Sequence, residues 1–265
     1  MTHRRPRILA LAAVLGGLAG CAGESAPPLA AITLDSSRVA VAGVSSGAYM
    51  ATQVHVALNA RVHGAALVAG GPYGCAQAQL ETALGPCMTA QPALPDAATL
   101  AALASQRASE GTIDPLSGFA GDRVLVMHGT GDLLVAPALA ATNAALLRSL
   151  AGEAATVTPD DQRAFGHGWP TTDTGAPCDQ PASPWLLDCG IDAAGEAMAA
   201  MFVADGTPPA AASVADGALS RFDQRELAPE GVAGLADTGF VYTPKACADG
   251  ACGVLVAFHG CQQNE

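Results

Sequence analysis

The pentapeptide Gly43-Val44-Ser45-Ser46-Gly47 follows a short β-branched run, Arg38 to Ala42, and precedes Ala48 to Leu58, where Met50, Val54 and Leu58 have helical spacing. A serine in a G-x-S-x-G turn between strand and helix stands on a sharp elbow with its hydroxyl exposed, as a nucleophile of acyl transfer does. The plainer alternative is a glycine-rich turn in which Ser46 caps the helix. A serine nucleophile needs a general base, and the base needs an acid to orient it. Asp132 is the leading acid. It follows the apolar run Arg123 to Met127 in the string His128-Gly-Thr-Gly-Asp132, at a strand's carboxyl end, where the sites of open α/β sheets gather. Asp161 and Asp173 are weaker rivals, and the alternative role for Asp132 is a turn residue bonded to its own backbone.

Of the six histidines, His3 lies in the leading segment, His55 falls inside the first helix and His63 opens a strand. His167 is better placed for a base, in the loop Phe165-Gly166-His167-Gly168-Trp169-Pro170. The order Ser45, Asp132, His167 is the order of α/β-hydrolases. His128 is the alternative base, although its place beside Asp132 suits a structural or pocket-lining residue better. The tetrahedral oxyanion needs two backbone N–H donors, one normally from the residue after the nucleophile, here Ser46. The second usually precedes the nucleophile in sequence. Here the strand that ends in a His-Gly loop of that type runs from Val254 to Cys261. Cys261 therefore becomes the second donor, in the order of a circular permutation.

The elements around these residues alternate. Val62 to Ala69 reads as a second buried strand and Arg123 to Met127 as a third. Pro137 to Ala151 reads as an amphipathic helix with Pro in its first turn. Gly190 to Phe202 reads as a further helix and Asp205 to Gly217 as an exposed connection, while Gly239 to Thr243 and Gly253 to Phe258 read as strands. Strands alternating with helices indicate a parallel sheet. The sequence stops just after its last strand, where a parallel sheet calls for a crossover helix, so the expected fold is incomplete at its C-terminus.

The 265 residues, 50% apolar and 14% charged, suffice for one sizeable core and exclude general disorder. A net charge of −12 removes any electrostatic basis for nucleic-acid binding. Arg4, Arg5 and Arg7 precede an apolar run, Ile8 to Leu18, too short to span a bilayer, so residues 1–20 read as a signal peptide. Leu18-Ala19-Gly20-Cys21 resembles the bacterial lipobox, which makes Cys21 a lipidation site. An ordinary secretory signal cut near Ala22 or Ala26 is the alternative. Loss of the three arginines leaves 9 basic against 24 acidic residues, a net charge of −15. Residues 21–31, with the small-residue and proline spacer Ser25 to Ala31, read as a tether, and 32–265 as the catalytic domain.

Six of the remaining cysteines form close pairs, Cys75 with Cys87, Cys178 with Cys189 and Cys247 with Cys252, as disulfides of an exported protein do. Cys261 is left over, and a partner beyond Glu265 is expected. A metal site from Cys247, Cys252, His259 and Cys261 has no zinc-ligand spacing, so no metal is expected. No cofactor is expected either.

Together these residues resemble the circularly permuted polyhydroxybutyrate depolymerases, exported serine esterases of α/β-hydrolase fold. The resemblance is carried by Ser37 to Ala57, Ala69 to Cys75, His128 to Asp132, Gly166 to Pro170, Phe222-Asp223-Gln224, Tyr242 to Cys247 and the string HGCQQN at 259–264. It implies a mostly parallel sheet with flanking helices, Ser45 as nucleophile, Asp132 as acid, His167 as base, and Ser46 and Cys261 as oxyanion donors. It also implies hydrolysis of poly(3-hydroxybutyrate) or its oligomers through an acyl-enzyme. Family members continue past the HGC loop with further strands and an aromatic-rich segment. Trp169 and Trp185 flank the base loop and are candidates for polymer contact or for the core. The expected partners are a polyester or small ester and, through the N-terminal lipid, a membrane. The expected location is the bacterial envelope, at the outer membrane, or the medium. The alternatives are a soluble-substrate carboxylesterase of feruloyl or acetyl type and a non-catalytic envelope lipoprotein that keeps the fold.

Overall fold

The computed structural model describes residues 26–203, 216–228, 234–247 and 250–263; the signal peptide and Cys21 lie outside them, as does most of the expected connection Asp205 to Gly217. Strand β1 (Leu34–Val44) leads through Ser45 into helix α1 (Ser46–Ala57) and then β2 (Gly64–Val68). Three helices follow, α2 (Leu80–Leu84), α3 (Pro86–Thr89) and α4 (Ala97–Ser109), and then β3 (Arg123–Met127), α5 (Ala138–Ala151) and β4 (Thr156–Asp160). Three short strands, β5 (Trp169–Thr171), β6 (Ala176–Pro177) and β7 (Leu186–Asp188), precede α6 (Ala193–Phe202). Strands β8 (Gly217–Asp223), β9 (Thr238–Pro244) and β10 (Cys252–Phe258) complete the described order.

The main sheet is parallel throughout, in the order β10-β1-β2-β3-β4. Its register brings Val44, Val68, Met127 and Asp160 to one level, with Phe258 beside Gly43. The loops that follow these strands therefore open along one edge, and they begin at Ser45, Ala69, His128, Asp161 and His259.

The two faces of the sheet separate by the period-two alternation of strands. Val41, Leu67, Val124 and Val126 pack with Ala48, Ala51 and Val56 of α1, with Ala140, Ala144 and Leu147 of α5, and with Leu100 and Ala104 of α4. Ala40, Ala42, Ala66, Val68, Leu125 and Met127 face the other way, onto Ala193, Ala197 and Met201 of α6, Phe165 and Leu187. Small residues on that face let α6 come close: a Cβ on Gly64 would lie 3.1 Å from the Met201 Cβ. Central strands buried on both faces read as continuous apolar runs, and β3 spans the expected Arg123 to Met127. Strand β4 carries Pro159 and is largely exposed, as an edge strand is. Helix α4 starts at Asp96, whose carboxylate accepts from the Thr99 N–H at 2.7 Å, and α6 starts at Asp192, which accepts from Gly195 N at 2.8 Å.

The chain divides into two compact units. One comprises Ile32–Asp216 and Pro244–Glu265 and holds the main sheet. The other joins the segment up to Ala31 to Gly217–Thr243, whose β8 and β9 form a two-stranded sheet of their own. Within that smaller unit the Asp223 N–H donates to Pro27 O at 2.8 Å. The stretch 32–265, expected as one domain, thus includes a hairpin that clusters separately, and Gly239 to Thr243 contributes to that hairpin rather than to the parallel sheet.

Candidate active site

Ser45 stands between β1 and α1 with φ 56° and ψ −126°, a left-handed backbone conformation that costs a non-glycine residue strain. Two glycines make this elbow possible. A Cβ on Gly43 would meet the Gly47 carbonyl at 2.3 Å, and one on Gly47 would meet Phe258 O at 2.1 Å. The first turn of α1 is therefore pressed against both its own strand and the end of β10. Ser45 occupies the N-cap position, yet its side chain caps nothing. Its Oγ lies 2.8 Å from His167 Nε2 instead.

His167 Nδ1 lies 2.8 Å from Asp132 Oδ2, so the three side chains form one hydrogen-bonded chain across 122 and 35 residues of sequence. Asp132 Oδ1 accepts from the backbone N–H groups of Leu134 and Val135, both at 2.9 Å. Burial works to raise the Asp132 carboxyl, but the hydrogen bond and charge of His167 and those two backbone donors outweigh it. The group sits below its ordinary range and stays ionised. An ionised carboxylate on Nδ1 fixes the imidazole so that Nε2 faces the serine hydroxyl, which is what a general base requires.

The acid and base loops are laced together by backbone. His128 N donates to Asp160 O at 2.8 Å, Thr130 N to Arg163 O at 2.9 Å and Gly131 N to Phe165 O at 3.1 Å. The approach is so close that a Cβ on Gly129 would stand 2.0 Å from Phe165 O. On its other side the base loop rests on the small sheet β5-β7-β6, through Gly166 N to Cys178 O at 2.8 Å and Trp169 N to Trp185 O at 2.8 Å. The Cys178–Cys189 disulfide closes that sheet. Trp185, half-buried, sets its ring edge-on to His167 with centroids 6.1 Å apart, and Trp169 is half-buried against the core. Cys75–Cys87 and Cys247–Cys252 are also bonded. Cys261 is exposed and has no disulfide partner among the described residues. With Cys247 and Cys252 joined to each other, the set with His259 and Cys261 is not a metal site.

The remaining expected residues fall as follows. Ser46 and Cys261 meet, with Cys261 Sγ 3.3 Å from Ser46 Oγ, and Gly260 packs on the elbow, its hypothetical Cβ 3.3 Å from Ser45 Cβ. His128 is fully buried, its Nε2 3.0 Å from Val135 O and 3.4 Å from Asp132 Oδ2, and burial lowers its pKa. It lies behind the acid and makes no hydrogen bond to Ser45. Asp161 and Asp173 make no bond to His167. Sequence reasoning passed over Tyr49, whose hydroxyl donates to Cys87 O and whose ring fills the space above Gly71. Burial and then the Asp132 charge push its phenol well above the ordinary range. The signal was its place three residues after the helix start, on the face next to the acid.

No family model matches the chain. The chain is similar to the poly(3-hydroxybutyrate) depolymerase of Delftia acidovorans, 34% identical over 247 residues that take in 91% of this chain and 49% of the relative. It is also similar to the polyhydroxybutyrate depolymerase of Talaromyces funiculosus, 29% identical over 252 residues, 92% of this chain and 71% of the relative. The chain thus spans about half the length of the Delftia protein. Among solved structures it matches a PHB depolymerase carrying a serine-to-alanine substitution and complexed with an R3HB trimer, with a TM-score of 0.74 at 26% identity. It matches the crystal structure of the PHB depolymerase from Penicillium funiculosum with a TM-score of 0.74 at 27% identity; each match covers 91% of this chain and 73% of the other. By sequence and by α/β fold, this chain is similar to the polyhydroxybutyrate depolymerases.

Proposed function

We propose that the chain is a serine esterase that hydrolyses 3-hydroxybutyrate polyester or its oligomers. One observation carries the reading: the Ser45–His167–Asp132 chain, with both hydrogen bonds at 2.8 Å, on a strained strand-to-helix elbow. In the first step His167 Nε2 takes the Ser45 proton as Oγ attacks the ester carbonyl. The developing oxyanion is received by the backbone N–H groups of Ser46 and Cys261, a role supported by the 3.3 Å contact between the side chains of these two residues. His167 then returns the proton to the leaving hydroxyl group and the tetrahedral centre collapses to an acyl-Ser45. Water, deprotonated by the same imidazole, releases the acid and restores the serine.

The substrate class follows the relatives, one of which is complexed with an R3HB trimer. Exposed apolar side chains beside the site suit an apolar polyester: Leu133, 95% exposed, and half-exposed Leu134 directly follow Asp132, and Met50 stands half-exposed one turn along α1 from Ser46. The position of β10 beside β1 supports the permuted order, since the strand next to the elbow on that side follows it in sequence. Three disulfides support export. Lipidation of Cys21 is part of the same reading; metabolic labelling with a fatty acid, lost in Cys21→Ala, is its test.

The direct test is clearing of an amorphous poly(3-hydroxybutyrate) suspension and hydrolysis of p-nitrophenyl butyrate by this chain beside Ser45→Ala. Both activities present, and both lost in the variant, are expected. Butyrate hydrolysis without clearing moves the substrate to soluble esters. A folded chain that neither hydrolyses nor takes a fluorophosphonate label on Ser45 overturns the catalytic reading.

A further inference from the structure

The loop that carries Cys261 leaves the end of β10, the outermost strand of the main sheet among the described residues, and its own backbone does little to fix it. Beyond β10 the described backbone bonds of this turn reduce to Gln263 N donating to Gly260 O at 3.3 Å, while Gln262 holds a left-handed φ of 63°. Side chains supply the rest: His259 Nδ1 lies 2.9 Å from Gly260 O, the Cys261 thiol lies 3.3 Å from Ser46 Oγ, and Gln263 makes two further bonds. Gln263 Oε1 accepts the Gly260 N–H, and Gln263 Nε2 donates to Pro184 O at 2.7 Å, across 79 residues of sequence.

Those two partners belong to different parts of the site. Gly260 rests on the nucleophile elbow, its hypothetical Cβ 3.1 Å from Val44 O and 2.9 Å from Gln263 Oε1 itself. Pro184 immediately precedes Trp185, whose N–H is held by Ala182 O at 2.7 Å and whose ring meets His167 edge-on. One primary amide therefore fastens the Cys261 loop to the wall that supports the base. An amide is the functional group this position requires, because one end must accept from an N–H and the other must donate to a carbonyl.

We propose that Gln263 is a positioning residue of the oxyanion site, fixing the Cys261 N–H at a set distance from Ser45 by tying its loop to the Pro184–Trp185 wall. This rests on the acyl-transfer reading above. An oxyanion donor works only where charge develops in the transition state, so its displacement lowers kcat and leaves KM in place. Removing a whole donor of this type costs about 10²–10³ in kcat; a displaced donor loses part of that.

The test uses Gln263→Glu, which keeps an acceptor for Gly260 N–H but sets a carboxylate oxygen against Pro184 O, and Gln263→Met, which fills the space and keeps neither bond. With p-nitrophenyl butyrate the expected falls in kcat are about 10-fold and about 50-fold, with KM within a factor of 2. The affinity for a trifluoromethyl ketone analogue of the tetrahedral intermediate should weaken by the same factor as kcat/KM. Melting temperatures are measured for each variant, and a kcat that falls in step with thermal stability overturns positioning in favour of a structural role. Wild-type activity with unchanged variants, or with a change in KM alone, overturns this inference and leaves the esterase reading standing. An inactive wild-type chain whose Ser45 takes no fluorophosphonate overturns both.

Discussion

The two sides of the site are built to different standards. On the acid–base side, Asp132 and His167 are buried, their loops share three backbone hydrogen bonds at 2.8–3.1 Å, and a disulfide closes the sheet beneath the base. On the side assigned to the oxyanion, Cys261 is exposed just past β10, and among the described residues its turn is held by the two Gln263 side-chain bonds, by His259 Nδ1 against Gly260 O at 2.9 Å and by the Cys261 thiol against Ser46. The proton-transfer geometry is over-determined, so no single peripheral bond sets it. The proposed oxyanion geometry rests on few contacts among the described residues, so single peripheral changes should reach it.

The largest effect is expected at the centre of the rigid side. Asp132→Asn keeps the shape and the Leu134 and Val135 contacts but presents an amide N–H or a neutral oxygen to His167 Nδ1, which favours the wrong tautomer. A loss of about 10⁴ in kcat with little change in fold is expected, read from p-nitrophenyl butyrate turnover and circular dichroism. A loss below about 10-fold would show that the acid is held elsewhere. The next effect is on stability. Opening the 11-residue Cys178–Cys189 link as a double alanine variant should cost about 2–4 kcal/mol in chemical denaturation. If the backbone lacing to the Asp132 loop suffices, kcat at low temperature falls by less than about 5-fold; a collapse of kcat without unfolding would assign the base's position to the disulfide alone.

How far the sequence revealed these two sides follows the same division. Strand β3, the Ser45 elbow and the order of Asp132 and His167 are written in local pattern: an unbroken apolar run, a glycine-flanked serine, and polar residues just past a strand end. Strand β4 escaped because Thr156–Asp160 alternates polar residues around a proline, as an edge strand permits. Helix α4 left a signal that went unread, Asp96 with Thr99 three residues on and Leu100 and Ala104 on one face. Strands β5 to β7 have two or three residues each and exist through pairing and a disulfide, not through propensity. Gln263 shows locally only as part of the HGCQQN string and through its bond to Gly260 three residues back. Its function is a contact with Pro184 that only the folded chain creates.

A smaller effect is expected behind the acid. Burial lowers the pKa of His128, so the folded chain sheds that proton at a pH where the unfolded chain, near 6.5, still holds it. The unfolded state then binds more protons, so stability is full above about pH 6.5 and falls as the pH drops through that value. Asp132, also lowered, adds loss of the same sign at more acid pH. His128→Gln keeps an N–H for Val135 O, and its stability at pH 8 should lie within about 1 kcal/mol of wild type. Its fall between pH 7 and 5 should be shallower, by urea denaturation at each pH. An unchanged slope would place the titration on another group.

The smallest effect is expected where the contact on the flexible side is weakest. Cys261 touches Ser46 through a thiol–hydroxyl distance of 3.3 Å, a weak and exposed hydrogen bond. The group assigned to catalysis there is the backbone N–H, which Cys261→Ala retains, so kcat should change by less than about 3-fold, the scale of one weak solvated bond. Set beside the Gln263 variants, this separates two ways of building the same half-site. If Cys261→Ala lowers kcat more than Gln263→Met does, the side chain at 261 orders the turn and the amide bridge is secondary. The expected ranking, with the bridge far above the thiol, means that a residue making no contact with the serine sets the oxyanion donor in place, while the residue that supplies the donor contributes only its backbone.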